Sequence, residues 1–129
     1  MSGSESFETS IAPWLTVSDA QEAVDFYRSA FGAVEVDRLE DHGRVVVAQL
    51  SVGGAAFWVQ EDGDASPIAP GVGSVRMILS VEDPDPVFDR AVAAGATVVA
   101  YVHEEHGWRT GRITDPFGHD WEVSRQLPA

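Results

Sequence analysis

No cysteine occurs among the 129 residues, which excludes a disulfide framework, a thiolate metal cluster and a cysteine nucleophile. That absence fits a reducing compartment, and the cytoplasm is the expected location. Basic residues are scarce: eight stand against 21 acidic ones, for a formal net charge of −13. Such a chain repels phosphate backbones and anionic lipid, so neither nucleic acid nor a membrane surface is an expected partner. No apolar run approaches the length of a membrane span, and residues 1–10 are polar and acidic, unlike a secretory signal. A serine nucleophile elbow, a phosphate loop and a dinucleotide fingerprint are all missing.

What the chain does have is a repeat. Trp14-Leu15-Thr16-Val17-Ser18-Asp19 leads into a helical segment holding Phe26 and Ala30, then Gly32-Ala33. Ile78-Leu79-Ser80-Val81-Glu82-Asp83 leads into a segment holding Phe88 and Ala91, then Gly95-Ala96. In the first copy Ser18 and Asp19 offer an N-cap, Ala20, Ala23, Val24, Tyr27 and Phe31 recur at helical spacing, and Gly32 supplies the stop. In the second, Asp83 caps, Pro84 takes a position that a helix tolerates, and Val87, Phe88, Ala91 and Val92 form the apolar stripe of a shorter helix. Sequence of β type follows each helix, at 34–39, 45–52 and 55–60, then at 97–102, 109–114 and 119–124. Gly53-Gly54 predicts a hairpin, and Asp115-Pro116-Phe117-Gly118 predicts a type I turn.

Each half therefore reads βαβββ, and the fold class is α+β. The chain is of single-domain length and can bury roughly two thirds of the surface its unfolded form exposes. Module one spans about 9–61, a linker rich in Gly, Pro, Ala and Ser about 62–73, and module two about 74–127, all in one domain over 1–129. Residues 1–8 read as a loose leader. A four-stranded sheet with a helix on one face leaves its other face bare, so each sheet is expected to curve over a ligand or a partner.

The two modules, the opening Leu15-Thr16-Val17 with Asp19 and Phe26-Tyr27 downstream, the Ala30-Phe31-Gly32-Ala33 helix end and the closing Asp115-Pro116-Phe117-Gly118-His119-Asp120-Trp121-Glu122 together form a pattern. In order and spacing it resembles the vicinal oxygen chelate superfamily of glyoxalases, bleomycin resistance proteins and extradiol dioxygenases, with the nearest likeness in the PhnB-like branch. The resemblance covers residues 10–126. It implies two βαβββ modules forming facing curved mixed sheets, a cup often completed by a second chain, and a small molecule bound inside. A homodimer is the corresponding expectation.

In metal-dependent members of that superfamily four inward side chains converge on the metal, and by motif their places fall on Ala12, Gln49, Arg76 and Glu122. Ala12 has no donor atom, and the Arg76 guanidinium is always cationic with no lone pair to give. Gln49 and Glu122 alone make a two-ligand site, short of the three protein ligands of catalytic zinc. No metal or other cofactor is therefore expected. An Arg76–Glu122 ion pair is expected in the vacated space, because a buried charge needs a partner. The alternative is an Arg76 turned to solvent with Glu122 paired elsewhere.

Period-two alternation then assigns the faces. Trp14 and Thr16 join Ala12 on the cup side, Val47 joins Gln49, Ile78 and Ser80 join Arg76, and Asp120 and Ser124 join Glu122. Leu15, Val17, Leu50, Leu79, Val81, Trp121 and Val123 face the helices. Trp14, Trp58 and Trp108 offer a stacking surface for a flat or cationic ligand, with ordinary packing as the competing reading; Trp121 reads as core. Arg109 and Arg112 lie near the rim and can take a carboxylate or phosphate on a ligand, or pair with surface carboxylates. His103 and His106, three apart, do not match the metalloprotease spacing of four and read as a solvated loop. His119 reads as structural, and His42 falls in a polar turn.

Two functions from different classes follow. The first is metal-independent binding that sequesters an aromatic or cationic compound, such as an antibiotic, in a cup lined by Trp14, Gln49, Arg76, Ile78 and Glu122, with Trp58, Trp108 and Arg109 nearby. The acidic surface favours a cation by steering, or confers solubility alone. The second is a glyoxalase-like lyase, isomerase or dioxygenase, either metal-free with Glu122 as base and Arg76 stabilising an anion, or metal-dependent through Gln49 and Glu122. An interaction module that uses its open sheet only to dimerise is a third. Neither the ligand nor the presence of catalysis is written in the sequence.

Overall fold

The computed structural model describes residues 7–67 and 69–129. Apart from Phe7 and Glu8, the expected leader at 1–8 lies outside the described residues. Module one runs β1 (Trp14–Val17), α1 (Ala20–Phe31), β2 (Val34–Asp41), β3 (Arg44–Val52) and β4 (Ala55–Glu61). Module two repeats the order as β5 (Arg76–Ser80), α2 (Pro84–Ala93), β6 (Thr97–Glu105), β7 (Trp108–Thr114) and β8 (Asp120–Gln126). Each module builds its own four-stranded mixed sheet, ordered β1-β4-β3-β2 and β5-β8-β7-β6. In both, the first strand runs parallel to the last and the remaining pairs are antiparallel. The α+β architecture of two βαβββ units is thus the one read from the repeat.

The helices start and stop where their end residues dictate. Asp19 caps α1 by accepting from the Glu22 backbone N–H at 3.0 Å, and Gly32 ends it in the left-handed region at φ 69°, as a C-terminal glycine commonly does. Glu61 adds a second acceptor at this end, 3.0 Å from the Ala20 N–H. α2 begins on Pro84 after Asp83, but the Asp83 side chain makes no capping bond and the helix ends on Ala94 in the right-handed region.

Strands β2 and β6 run further than the sequence reading placed them, to Asp41 and Glu105. The reason is a turn shared by both modules. His42-Gly43 has φ of 52° and 75°, and the two residues of His106-Gly107 have φ of 49° and 80°. Positive φ at both central positions gives the twist that lets a two-residue hairpin close without splaying its strands, and histidine is among the side chains that tolerate it. His103 is therefore a strand residue rather than part of a solvated loop, and only His106 lies in a turn. Gly53-Gly54 turns the β3–β4 hairpin in the same way, as expected.

One apolar core serves both modules. Leu15, Val17, Leu50, Trp121 and Val123 are buried in it, and Leu79 and Val81 pack against it partly covered. Trp121 of module two packs at 4.8 Å from Phe31 and 5.5 Å from Phe57 of module one, measured between ring centroids. Asp115 ties this joint. Its Oδ2 accepts from Trp121 Nε1 at 2.9 Å and from the Tyr27 hydroxyl, while its Oδ1 accepts the Phe117 and His119 backbone N–H groups. Burial, followed by the adjacent Asp115 carboxylate, pushes the Tyr27 phenol well above its ordinary pKa, so the phenol stays a donor. His119 also crosses the joint, with Nε2 2.7 Å from the Thr16 carbonyl, a structural role like the one anticipated.

Candidate functional site

Cross-strand register fixes which side chains share the face away from the helices. In the first sheet Trp14, Trp58 and Gln49 stand in one row, and Thr16, Gln60 and Val47 in the next. The Trp14 and Trp58 rings stack at 5.8 Å with 26° between planes, and Trp14 Nε1 donates to Gln60 Oε1 at 2.9 Å. This face is aromatic at its centre, and the Trp14 row continues past Gln49 to Asp37. Trp14 nevertheless keeps 52% of its surface exposed, far above what a packed core aromatic retains.

In the second sheet Ile78, Glu122 and Arg112 form one row, Ser80, Ser124 and Thr110 the next, and Arg76, Asp120 and Thr114 the one on the other side. Arg76 Nε lies 3.4 Å from Glu122 Oε1, with the two side chains 43% and 20% exposed. The expected pair is therefore present, but as a loose contact in reach of water rather than a buried bridge. At that exposure it stabilises the fold by no more than about 1 kcal/mol.

Two recesses lie on this side of the molecule. The larger, about 640 Å³, sits at the junction of the two sheets, where Ala12, Trp14, Arg76 and Ile78 line it together with Phe57 and Trp121. The smaller, about 350 Å³, lies over the second sheet and is lined by Arg76, Ile78, Glu105, His106, Trp108, Thr110 and Glu122. Arg76 and Ile78 are walls of both. Both volumes fall in the range of small-molecule sites.

The structure thus brings together Trp14, Ala12, Arg76 and Ile78 at the junction, and Arg76, Ile78, Glu122 and Trp108 in the smaller recess. Trp58 belongs to the first group through its stack on Trp14. Gln49 sits half-buried between Trp58 and Asp37 in the register and lines neither recess.

One assignment requires correction. Arg109 does not face the cup: it pairs with Arg125 in the register and turns to the helix side, where it grips Asp85 of α2 at 2.7 and 2.6 Å and Glu104 at 3.2 Å. Those carboxylates satisfy the guanidinium on the helix side, which matches the surface-pairing alternative. Asp120 shares the cup face, as the alternation assigns it, and is covered there. The Gly71 and Gly73 N–H groups of the linker and the Thr114 hydroxyl bind its carboxylate at 2.7 to 3.2 Å, leaving it 4% exposed. Ser124 also stands on the cup face, as the alternation assigns it, and is fully buried there.

The sequence reading missed Thr110, the anchoring of the linker on Asp120 and the joint role of Asp115. The first follows from alternation with Arg112; the other two join residues more than 40 positions apart and leave no local signal.

The donor set does not fit a metal. Among the described residues no group of three or more His, Cys, Asp or Glu side chains is placed to hold one. At the inherited places, Ala12 offers nothing and a guanidinium stands beside the one carboxylate, repelling a cation. No helix of the described residues is long and apolar enough to cross a membrane.

Against this geometry the family is shown. The chain belongs to the Glyoxalase/Bleomycin resistance protein/Dioxygenase superfamily, whose family model matches residues 9–123. An uncharacterised protein of Mycobacterium bovis is 36% identical over 129 residues, spanning 93% of this chain and 85% of the relative. One from Arabidopsis thaliana is 33% identical over 116 residues, spanning 78% of this chain and 68% of the relative. Among solved structures, TioX from Micromonospora superimposes with a TM-score of 0.75 at 29% identity, covering 93% of this chain and all (100%) of that one. The fosfomycin resistance protein FosX from Listeria monocytogenes shares the fold at a TM-score of 0.69 with 16% identity, covering 93% and 94% of the two chains.

Proposed function

We propose that this chain binds an aromatic small molecule, of antibiotic type, without a metal, and sequesters it in the recess at the junction of the two sheets. The carrying observation is the Arg76 guanidinium 3.4 Å from Glu122, at the place the resemblance gives to a metal, sharing the junction recess with Trp14, which stacks on Trp58. A stacked pair of indoles supplies a large rigid apolar platform, and its faces also attract positive charge. The net charge of −13 supports steering of a ligand that carries a positive group. Exposed Ile11, Trp14, Val75 and Ile78 along the same rim support a second copy of the chain closing over the recess, a homodimer, since apolar groups clustered at one rim favour a covered state.

The test is titration of an aromatic compound library against tryptophan fluorescence, with metal analysis of the purified protein. Saturable quenching that survives chelator and drops at least tenfold in Trp14→Ala is the expected result. Quenching abolished by chelator, or stoichiometric metal bound through Glu122, would overturn the reading.

The nearness of Arg76 to Glu122 also supports a second reading, a metal-free lyase or isomerase. Glu122 would move a proton while Arg76 stabilises the anion that forms. Turnover insensitive to chelation and lost in Glu122→Gln selects it over sequestration.

A further inference from the structure

Polar atoms lie buried and unanswered on the concave face of the second sheet. Thr110 on β7 and Ser124 on β8 are cross-strand partners, 7% and 0% exposed. Neither hydroxyl has a hydrogen-bond partner among the described residues. One row along, Arg112 faces Glu122 across the same ladder, and its buried Nε likewise lacks an acceptor. Buried polar groups are nearly always paired, so three open ones on neighbouring rows of one strand pair mark a place where something else completes the set.

Charge decides what that is. Arg38, Arg44 and Arg109 each hold two carboxylates. Arg76 touches Glu122 only through Nε at 3.4 Å, and no carboxylate lies within ion-pair distance of Arg112 among the described residues. Asp120 on the next row is already held by Thr114 and the linker N–H groups. Glu105 at the rim stands 3.4 Å from His103. Arg112 is therefore a guanidinium with an open Nε and no carboxylate in ion-pair reach among the described residues, inside a chain of net charge −13. Water can serve a hydroxyl, but it does not neutralise a guanidinium.

We propose that this patch is a carboxylate subsite. It takes the acidic group of an aromatic ligand, with Arg112 and Arg76 as the cations and the Thr110 hydroxyl as a further donor. The fork of an arginine matches the two oxygens of a carboxylate, and Ile78 and Trp108 wall the recess above as the apolar seat for a ring. The proposal rests on the reading of the concave side as a small-molecule site and adds a polarity to it. The acidic exterior favours a positive group, the floor selects a negative one, and a zwitterionic aromatic compound satisfies both.

Calorimetric titration of the full chain with three probes of one shape tests this: 1-naphthoate, 1-naphthamide and 1-naphthylmethylamine. The acid is expected to bind at least tenfold tighter than the amide or the amine and to weaken with added salt. Arg112→Gln should erase that preference, Arg112→Lys should retain part of it, and Thr110→Val should weaken the acid by about threefold. Circular dichroism confirms that each variant is folded. Amide or amine binding as tightly as the acid, or a preference unchanged in both Arg112 variants, overturns the subsite. Failure of all three probes overturns it too, while the Trp14 quenching screen decides the broader binding reading independently.

Discussion

The two modules trace the same path and place their polar groups differently. Module one closes on itself: Asp19 and Glu61 take the N–H groups that open α1, Arg44 braces both carboxylates, and Trp14 is held by Gln60 of the neighbouring strand. Module two directs its polar groups outward. Asp115 binds back onto Tyr27 of the first module, Asp120 anchors the linker, and Thr110, Arg112 and Ser124 each keep a buried polar atom without a partner on the concave side. The shared chain path needs only apolar periodicity and turns, which both copies keep. The chemistry of the site depends on where the copies differ.

Breaking the joint should have the largest effect. Asp115→Ala leaves the Tyr27 hydroxyl and Trp121 Nε1 without their acceptor in a buried setting, along with two backbone N–H groups. At about 1–3 kcal/mol for each orphaned buried donor, a loss of about 3–5 kcal/mol is expected in urea unfolding. Asp115→Asn keeps one oxygen and the shape, and should cost about half as much. A loss below about 1 kcal/mol for Asp115→Ala would mean that the aromatic cluster alone holds the modules together.

That joint shows where a sequence stops being legible. The βαβββ repeat, Asp19, Pro84, Gly32 and Gly53-Gly54 are readable because each depends on neighbours within a few positions. The face assignments of Trp14, Thr16, Ile78, Leu50 and Val123 are readable because a strand alternates strictly. Asp115 is different: locally it only opens a turn, and its partner Tyr27 lies 88 residues away. Arg109 could not be oriented because the bases for its two pairings, Asp85 on α2 and Glu104 on β6, depend on how those elements pack. Where β6 breaks register between Ala100 and His103, alternation counted along the chain no longer reports the face. The pairing of Arg76 with Glu122 was anticipated from the family pattern; its exposure to water was not, because burial is a property of the assembled recess.

The helix starts sharpen the comparison at a smaller scale. Asp19→Ala removes a capping bond to Glu22 and should cost about 1 kcal/mol, whereas Asp83→Ala removes no side-chain bond and should cost a few tenths, about 0.3 kcal/mol. The two variants are compared by chemical denaturation under identical conditions. Equal losses would mean that module two closes its helix as module one does.

Acid should separate the modules last and least. Arg44, and then the Ala20 N–H, hold the Glu61 carboxyl below its ordinary range, and Arg109 does the same for Asp85. A carboxyl whose pKa is depressed by folding contributes stability that is complete above its unfolded value, near pH 4, and is lost as pH falls through the folded value. The melting temperature should therefore stay level from about pH 7 to 5 and decline below that. Glu61 is only 13% exposed at its side chain and Asp85 45% exposed, so solvent screens the second pair more. Glu61→Gln should accordingly flatten the acid decline more than Asp85→Asn, as followed by thermal melts between pH 6 and 3. The reverse order would show that the outward grip of Asp85 on β7, not the self-contained cap of α1, is the electrostatically stronger of the two.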